Sequence, residues 1–505
     1  MKLKRILTSV ATVIPISLLA KNDGPNIIYI LADDMGFGDI TALDNNCKIA
    51  TPYLDQLVND GMSFTDAHTT SSVSTPSRYG IITGRYNWRS SLQTGVTWSY
   101  DAPLIEKERV TVATMLSENG YNTGIIGKWH LGLGWERTGE GEHDFNFEKL
   151  SHTPIDNGFD YSHIMSASLD IPPYCYIEGH NVTAPVRDTI EQNTGYGFYR
   201  KGPIAEDFDI HTALEHFTQK ALTYIDEKSK EDKPYFLYFP LTAPHTPILP
   251  PEEFQGKSGI SPYADFVMYV DDIVGRVVEQ VKKSGQEDNT MIIFTADNGC
   301  SPAAKINVLK EHGHYPNSVF RGTKADTYDG GHRIPYIIKW PKEVEAGSEC
   351  DKPISLSSFM ATCADINKIK LPKDYAEDSF SIYDELKGKP KKDCRGEAIV
   401  IHHSIHGYFS VRKGDWKLIV CPFSGGWSAP GKNAVTDETP RMQLFNMKDN
   451  ISEESDKNLL DEQPEVVKEL YAELVWAVEN GRTRKGAAKD NDVEVVIEKF
   501  YGEQK

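Results

Sequence analysis

The chain is short of positive charge, of paired cysteines and of long apolar runs, and each shortage removes a class of function. Its 54 lysines and arginines face 73 aspartates and glutamates, a net charge of -19 over 505 residues. A broad cationic surface for nucleic acid or anionic lipid is thereby excluded. Seven cysteines, at positions 47, 175, 300, 350, 363, 394 and 421, are scattered without CxxC spacing. Neither a thiolate zinc site nor a disulfide framework is indicated, although one or two disulfides fit the count and its oddness leaves a thiol over. One apolar run, residues 6–20 broken by Pro15, follows Lys2, Lys4 and Arg5. It is shorter than the about 20 residues a membrane helix needs. A charged start and an apolar centre predict a secretory signal peptide over residues 1–20, hence export to a periplasmic or extracellular space without stable membrane insertion. No cysteine near Ala20 and Lys21 offers a lipid attachment point.

What is present suits a globular, loop-rich chain long enough for two domains: 39% hydrophobic residues and 28 prolines. Short apolar runs at 27–31, 123–126, 235–239 and 291–294 alternate with helical patterns over 51–61, 111–120, 211–228 and 263–283. That alternation predicts an α/β fold with a mostly parallel sheet covered on both faces. In such sheets ligands bind beyond the carboxyl ends of the strands, so the residues after each run become the candidates for chemistry. They are Asp33 and Asp34, then Lys128, Trp129 and His130, then His245, then Asp297 and Asn298. Near residue 390 the character changes to a Lys-, Gly- and Pro-rich linker over 387–392. Beyond it a strand at 398–402, a hairpin over 409–420 turning at Lys413-Gly414-Asp415, and an amphipathic helix over 464–480 predict a smaller α+β unit with an antiparallel sheet. The helix would pack through Val466, Val467, Leu470, Tyr471, Leu474 and Val475. The expected boundaries are 21–388 and 389–505.

The densest chemistry lies in Ser74-Thr75-Pro76-Ser77-Arg78, followed by Tyr79-Gly80-Ile81-Ile82-Thr83-Gly84-Arg85. It joins a nucleophile, a fixed turn and a guanidinium; a plain loop with Ser74 or Ser77 as helix cap is the bland alternative. Asp33, Asp34, Asp297 and Asn298 offer hard oxygen ligands with no adjacent thiol or imidazole, a set that suits one Ca2+, or less well Mg2+, better than zinc. Adjacent carboxylates at one strand end repel each other without a cation. Each pair alone could equally cap a helix. His245, between Pro244 and Pro247 in a stiff loop, is a candidate general acid.

This set resembles the type I sulfatases, and in particular the serine-type, exported Bacteroides-like polysaccharide sulfatases. The resemblance rests on the 74–78 string and on Gly127-Lys128-Trp129-His130-Leu131-Gly132, and runs from about residue 26 to beyond 482. It implies an alkaline-phosphatase-like catalytic domain with a C-terminal α+β subdomain, and conversion of Ser74 to formylglycine (3-oxoalanine), whose hydrate attacks sulfate. It further implies a calcium ion on Asp33, Asp34, Ser74, Asp297 and Asn298. Arg78, Lys128 and Lys324 would then hold charge, His130 would act on the hydrate, and His245 would protonate the leaving alcohol. Lys324, in the segment that ends Gly330-Gly331-His332-Arg333, is preferred to Arg321, Lys310 and Lys305. Ser168 is preferred to Ser166 as a further polar contact, and Asp170, His180, His312 and Arg321 are candidates for the organic part of the substrate, with His314 beside them. A serine at position 74 implies maturation by an anaerobic radical SAM enzyme. The implied substrate is a sulfated carbohydrate, galactose or N-acetylgalactosamine of mucin or glycosaminoglycan. Rival readings are a phosphate or phosphonate ester hydrolase on the same fold, and a silent glycan-binding protein.

Overall fold

In the computed structural model the described residues are 23–371, 373–389 and 399–499. The expected signal peptide, Cys394 and residues 390–392 of the expected linker lie outside them.

The apolar runs form the middle of a ten-stranded sheet. Thr290–Ala296, Asn26–Ala32, Tyr235–Pro240, Asn122–Lys128 and Tyr161–Met165 lie side by side and run parallel. Tyr336–Lys339 and Met62–Phe64 extend one edge through antiparallel pairs, with Ser348–Cys350 outermost; Ile177–Glu178 and Asn181–Val182 extend the other. Asn26–Ala32, Tyr235–Pro240 and Thr290–Ala296 are buried along their whole length, as strands covered on both faces must be. One cover consists of the helices Pro52–Asp60, Ala213–Lys228 and Pro262–Lys283, packed on one another. The other consists of Ser74–Thr83, Val112–Glu118 and Ser358–Ile366. Each predicted helix is present within two residues of its expected ends. Proline at the first turn of Pro52–Asp60 and of Pro262–Lys283 places the starts, because its missing N–H costs nothing there.

The predicted hairpin is Phe409–Lys413 paired with Trp416–Ile419, inside a four-stranded antiparallel sheet completed by Val400–His403 and Gln443–Asn446. Gly414 turns it at φ 57, a left-handed conformation that glycine adopts without steric cost. The helix Pro464–Glu479 covers this sheet through Leu470, Leu474, Ala477 and Val478, with Val466, Val467 and Tyr471 half-buried beside them. Two residues from the first unit, Tyr86 and Trp88, belong to the same apolar cluster. The bonds from Arg89 to the Ala477 carbonyl and from the Thr483 N–H to Asp378 Oδ1, with Arg89 and Asp378 themselves ion-paired, bind the unit further. The C-terminal sheet therefore shares its core with the large domain. The six described cysteines are free thiols, so no disulfide forms among them.

Candidate active site

The strand ends converge. Asp33 and Asp34 follow Asn26–Ala32, and Asp297 and Asn298 follow the neighbouring Thr290–Ala296. Asp34 is held at φ 65, a left-handed conformation that costs a residue with a Cβ about 1–2 kcal/mol. Lys128 closes its strand immediately after Gly127, whose φ is 126 and where a Cβ would stand 2.1 Å from the Pro240 carbonyl oxygen. Only glycine allows the two strands to approach so closely at the point where the lysine leaves the sheet. Ser74 opens the helix Ser74–Thr83, but the cap position falls on Val73, and no side chain caps the helix. Ser77 donates to the Ser71 carbonyl instead. The capping explanation of these serines fails, and Ser74 Oγ is left to face Asp33 Oδ1 at 3.3 Å.

Around that hydroxyl stand three cations. Arg78 grips Asp297 through Nε and Nη2 at 3.1 and 2.8 Å and donates through Nη1 to the Lys128 carbonyl. Lys128 Nζ lies 2.6 Å from Asp33 Oδ2 and 3.2 Å from Ser168 Oγ. Lys324 Nζ lies 2.8 Å from Asp34 Oδ2. Burial pushes the Asp33 carboxyl up, but Lys128, His245 and Arg78 outweigh it and hold the group down at about 2. Burial in turn lowers Lys128, whereas at Lys324 the three aspartates overcome burial and raise it.

Two histidines carry complementary protonation. His245 Nδ1 lies 2.6 Å from the Thr246 carbonyl, which can only accept, so Nδ1 carries a proton and Nε2, 3.6 Å from Asp34 Oδ2, is the working atom. His130 donates from Nε2 to the Thr97 carbonyl at 2.9 Å, leaving Nδ1 buried without a partner. Burial, then Lys128 and Arg78, hold its pKa well below the usual imidazole value. It is a neutral base with a bare lone pair, kept in place at φ 58.

Cation binding is tested by the donors themselves. One oxygen each of Asp33 and Asp34 and a nitrogen of His245 lie within 4.8 Å of one another. Asn298 donates Nδ2 to Asp34 Oδ1 at 2.7 Å, while its Oδ1 is buried without a partner. A buried amide oxygen with nothing to accept from is costly unless a ligand meets it. The oxygens of Asp33, Asp34, Asp297 and Asn298 fit one hard divalent cation, with His245 committed to the Ser168 and Thr246 side.

The remaining candidates divide. Ser168 bridges Lys128 and His245. Ser166 contributes its carbonyl to His130 N–H, with its own hydroxyl unpartnered. Asp170, two residues on, pairs with Arg200 at 2.6 Å, and His245 and Arg200 hold its carboxyl below the usual range against the effect of burial. His180, His312 and Arg321 make no described contact with the cluster. His180 pairs with Asp156 at 2.8 Å, His312 is exposed at the end of the helix Ile306–Glu311, and Arg321 donates to the Glu453 carbonyl and stacks on Tyr328. His314 is consumed by Asp39 at 2.8 Å, and Lys305 lies over the Tyr196 ring. Loop composition carries no direction, so the sequence alone does not show which of these histidines and basic residues already have partners. Thr97 was overlooked for the same reason: no signal in its loop shows that its carbonyl would fix a histidine 33 residues away.

Comparison with known proteins agrees with this geometry. The family model described as Sulfatase matches residues 25–368. An N-acetylgalactosamine-6-O-sulfatase of Bacteroides thetaiotaomicron is 32% identical, covering 90% of this chain and 93% of its own. The N-acetylgalactosamine-6-sulfatase of Mus musculus is 28% identical over 82% of this chain and 77% of its own. Among solved structures, one described under the metabolism of multiple glycosaminoglycans by Bacteroides thetaiotaomicron superposes with a TM-score of 0.76 at 30% identity, covering 90% of this chain and 99% of that one.

Proposed function

The chain belongs to the sulfatase family and is a sulfuric ester hydrolase of glycans, and from that premise we propose that it is a single-cation, formylglycine-dependent enzyme built on Ser74. The observation that carries the proposal is the meeting of Ser74 Oγ and Asp33 beside Arg78, Lys128 and Lys324, with the Asn298 oxygen left unpartnered. Formylglycine at position 74 would supply the attacking oxygen, and a calcium ion on Asp33, Asp34, Asp297 and Asn298 a fixed positive charge.

This chain's own residues do the rest. Arg78, Lys128 and Lys324 gather positive charge where a sulfate monoester must enter against a net charge of -19. Lys128 and Lys324 keep N–H donors beyond those spent on aspartate, available to sulfate oxygens. His245, with Nδ1 tied to the Thr246 carbonyl, delivers a proton from Nε2 to the departing alcohol oxygen. His130, neutral and bare at Nδ1, takes a proton from the side chain at position 74. Ser168 fixes Lys128 relative to His245, so that sulfate binding and proton delivery stay in register.

The relatives' names support an N-acetylgalactosamine 6-sulfate as substrate, and the sequence resemblance adds galactose sulfate of mucin or glycosaminoglycan. The N-terminal segment supports export to the periplasm or beyond, and serine at position 74 supports maturation by an anaerobic radical SAM enzyme. The large domain is read as 21–388 and the C-terminal subdomain as 389–505. A panel of sulfated mono- and oligosaccharides of defined regiochemistry, assayed by ion chromatography of released sulfate, tests the reading. Sulfate release that a chelator removes and Ca2+ restores is expected. Cleavage of phosphate monoesters in preference to every sulfate ester would overturn it.

A further inference from the structure

Beside the charged cluster lies a group of side chains that neither the cation nor the sulfate uses. Asp170 is 7% exposed, and its Oδ1 is buried with no hydrogen-bond partner. Its other oxygen accepts from Arg200 Nη1 at 2.6 Å, and its carbonyl accepts from both Nη1 and the backbone N–H of Arg200. The Arg200 guanidinium lies 5.1 Å from the ring centroid of Trp98 and 5.0 Å from that of Phe198. No hydrogen bond from a described residue reaches its Nε or Nη2. Trp98 is 49% exposed, one of the largest apolar surfaces left open, yet its loop is fixed: its N–H donates to Asp101 Oδ2 at 2.7 Å.

The group adjoins the reaction on two sides. Ser168, two residues before Asp170, contacts Lys128 and His245. Thr97, one residue before Trp98, accepts from His130 Nε2 and donates to the His130 carbonyl.

We propose that Asp170, Arg200 and Trp98 form a subsite for the sugar ring that carries the sulfate, reading two adjacent hydroxyl groups on it and stacking its apolar face. The chemistry is complementary. An unpartnered carboxylate oxygen accepts from one hydroxyl, while a guanidinium edge donates to the oxygen of the next. An exposed indole covers the C–H face that a pyranose turns away from its hydroxyls. Because Arg200 is neutralised by Asp170 and braced between two rings, the subsite selects a hydroxylated ring rather than a second anion. Phe198 and Asp101 are its supports. The proposal rests on the sulfatase reading and names the substrate feature that the same site would recognise.

The test compares the sulfated sugar that the wild-type enzyme cleaves best with 4-nitrophenyl sulfate, which lacks hydroxyls. Arg200→Met keeps the stem between the rings but removes the donors. It is expected to lower kcat/KM for the sugar sulfate at least tenfold through KM, and to lower the ratio of sugar to aryl turnover by a similar factor. Trp98→Ala is expected to weaken binding of the sugar sulfate to the Ser74→Ala protein at least tenfold by calorimetry, and Trp98→Phe to restore most of it. Equal losses on both substrates would overturn the proposal in favour of a purely structural role, as would unchanged values on both. A wild-type enzyme that hydrolyses no sulfate ester would instead contradict the family-based reading, whereas calorimetry of N-acetylgalactosamine 6-sulfate on Ser74→Ala, with and without Trp98→Ala, reports on the subsite regardless.

Discussion

The site at the sheet's carboxyl edge and the cluster that ties the C-terminal sheet to it each bury three carboxylates against three strong bases. In the first, Asp33, Asp34 and Asp297 meet Arg78, Lys128 and Lys324. In the second, Asp66, Asp329 and Glu453 meet Arg333, Arg412 and Lys417. The second cluster pairs its charges with one another. Lys417 lies 2.6 Å from both Asp329 and Glu453, and Glu453 also accepts from the Asp329 N–H. Arg333 and Arg412 take the two oxygens of Asp66, which His68 also contacts at 2.7 Å. Its three histidines, His68, His332 and His402, lie within ligand reach of one another. The His332 and His402 rings, however, stack at 3.7 Å and 10°, which puts their in-plane lone pairs in separate layers rather than on one ion. Both clusters hold left-handed residues, Asp34 and His130 in the first and Glu453 in the second, and both leave buried polar atoms unpartnered, Asn298 Oδ1 and His130 Nδ1 against Arg412 Nη1 and His402 Nε2, but the first also sets a serine hydroxyl in its midst. Equal charge inventories thus serve different ends: one joins two units, and the other gathers its cations around a serine hydroxyl and an unpartnered amide oxygen.

The largest effects should separate the clusters by activity. Ser74→Ala should abolish sulfate release, a loss of at least about a thousandfold, with thermal unfolding unchanged. His245→Ala should cost about 10²–10⁴ in rate on alkyl sulfates and far less on aryl sulfates, whose leaving oxygens need no proton. Steady-state kinetics with both leaving groups checks it, and equal losses would remove His245 from the acid role.

Next come effects on stability. Lys417→Met leaves Asp329 and Glu453 buried without their shared cation, and should destabilise the fold by about 3–5 kcal/mol in urea unfolding. The folded fraction should keep its KM. Lys324→Met should lose turnover with a smaller fall in the unfolding midpoint, because it leaves one carboxylate, Asp34, rather than two, and Asp34 keeps Asn298 Nδ2 as a donor. If both variants lost stability alike, the distinction between the clusters would fail.

The smallest effect is a slope. Burial holds His163 down at about 4 and His403 at about 3, and lowers His68, His332 and His402 as well. A histidine whose folded pKa is depressed binds its proton more readily when unfolded. Its contribution to stability is complete above about 6.5 and is lost as the pH falls toward 3–4. His402→Phe keeps the ring stack and removes one titrating group, so the fall in unfolding free energy between pH 7 and pH 5 should become shallower.

Much of the first cluster was legible in the sequence because parallel strands end in the residues they deliver. The polar residues after 27–31, 123–126, 235–239 and 291–294 meet in space as the pattern requires. The second cluster was not legible. Its members come from in and around Ala67–His68 and Asp329–His332, and from Val400–His403, Phe409–Lys413, Trp416–Ile419 and the loop at Glu453, and the set is complete only when the C-terminal sheet docks. The same limit hid Arg200 and Trp98, which are neighbours through a loop contact that no periodicity encodes. It also made His180 and Arg321 look available, when Asp156 and Glu453 already held them.

The most direct test sets two preparations of the same chain side by side. One carries a residue 74 whose peptide mass is about 2 Da below that of serine, as oxidation to the aldehyde requires; the other carries unmodified serine. Sulfate release from 6-sulfated N-acetylgalactosamine or galactose by the first alone is the predicted result. Equal release by both would show that the side chain at position 74 is not the reacting group.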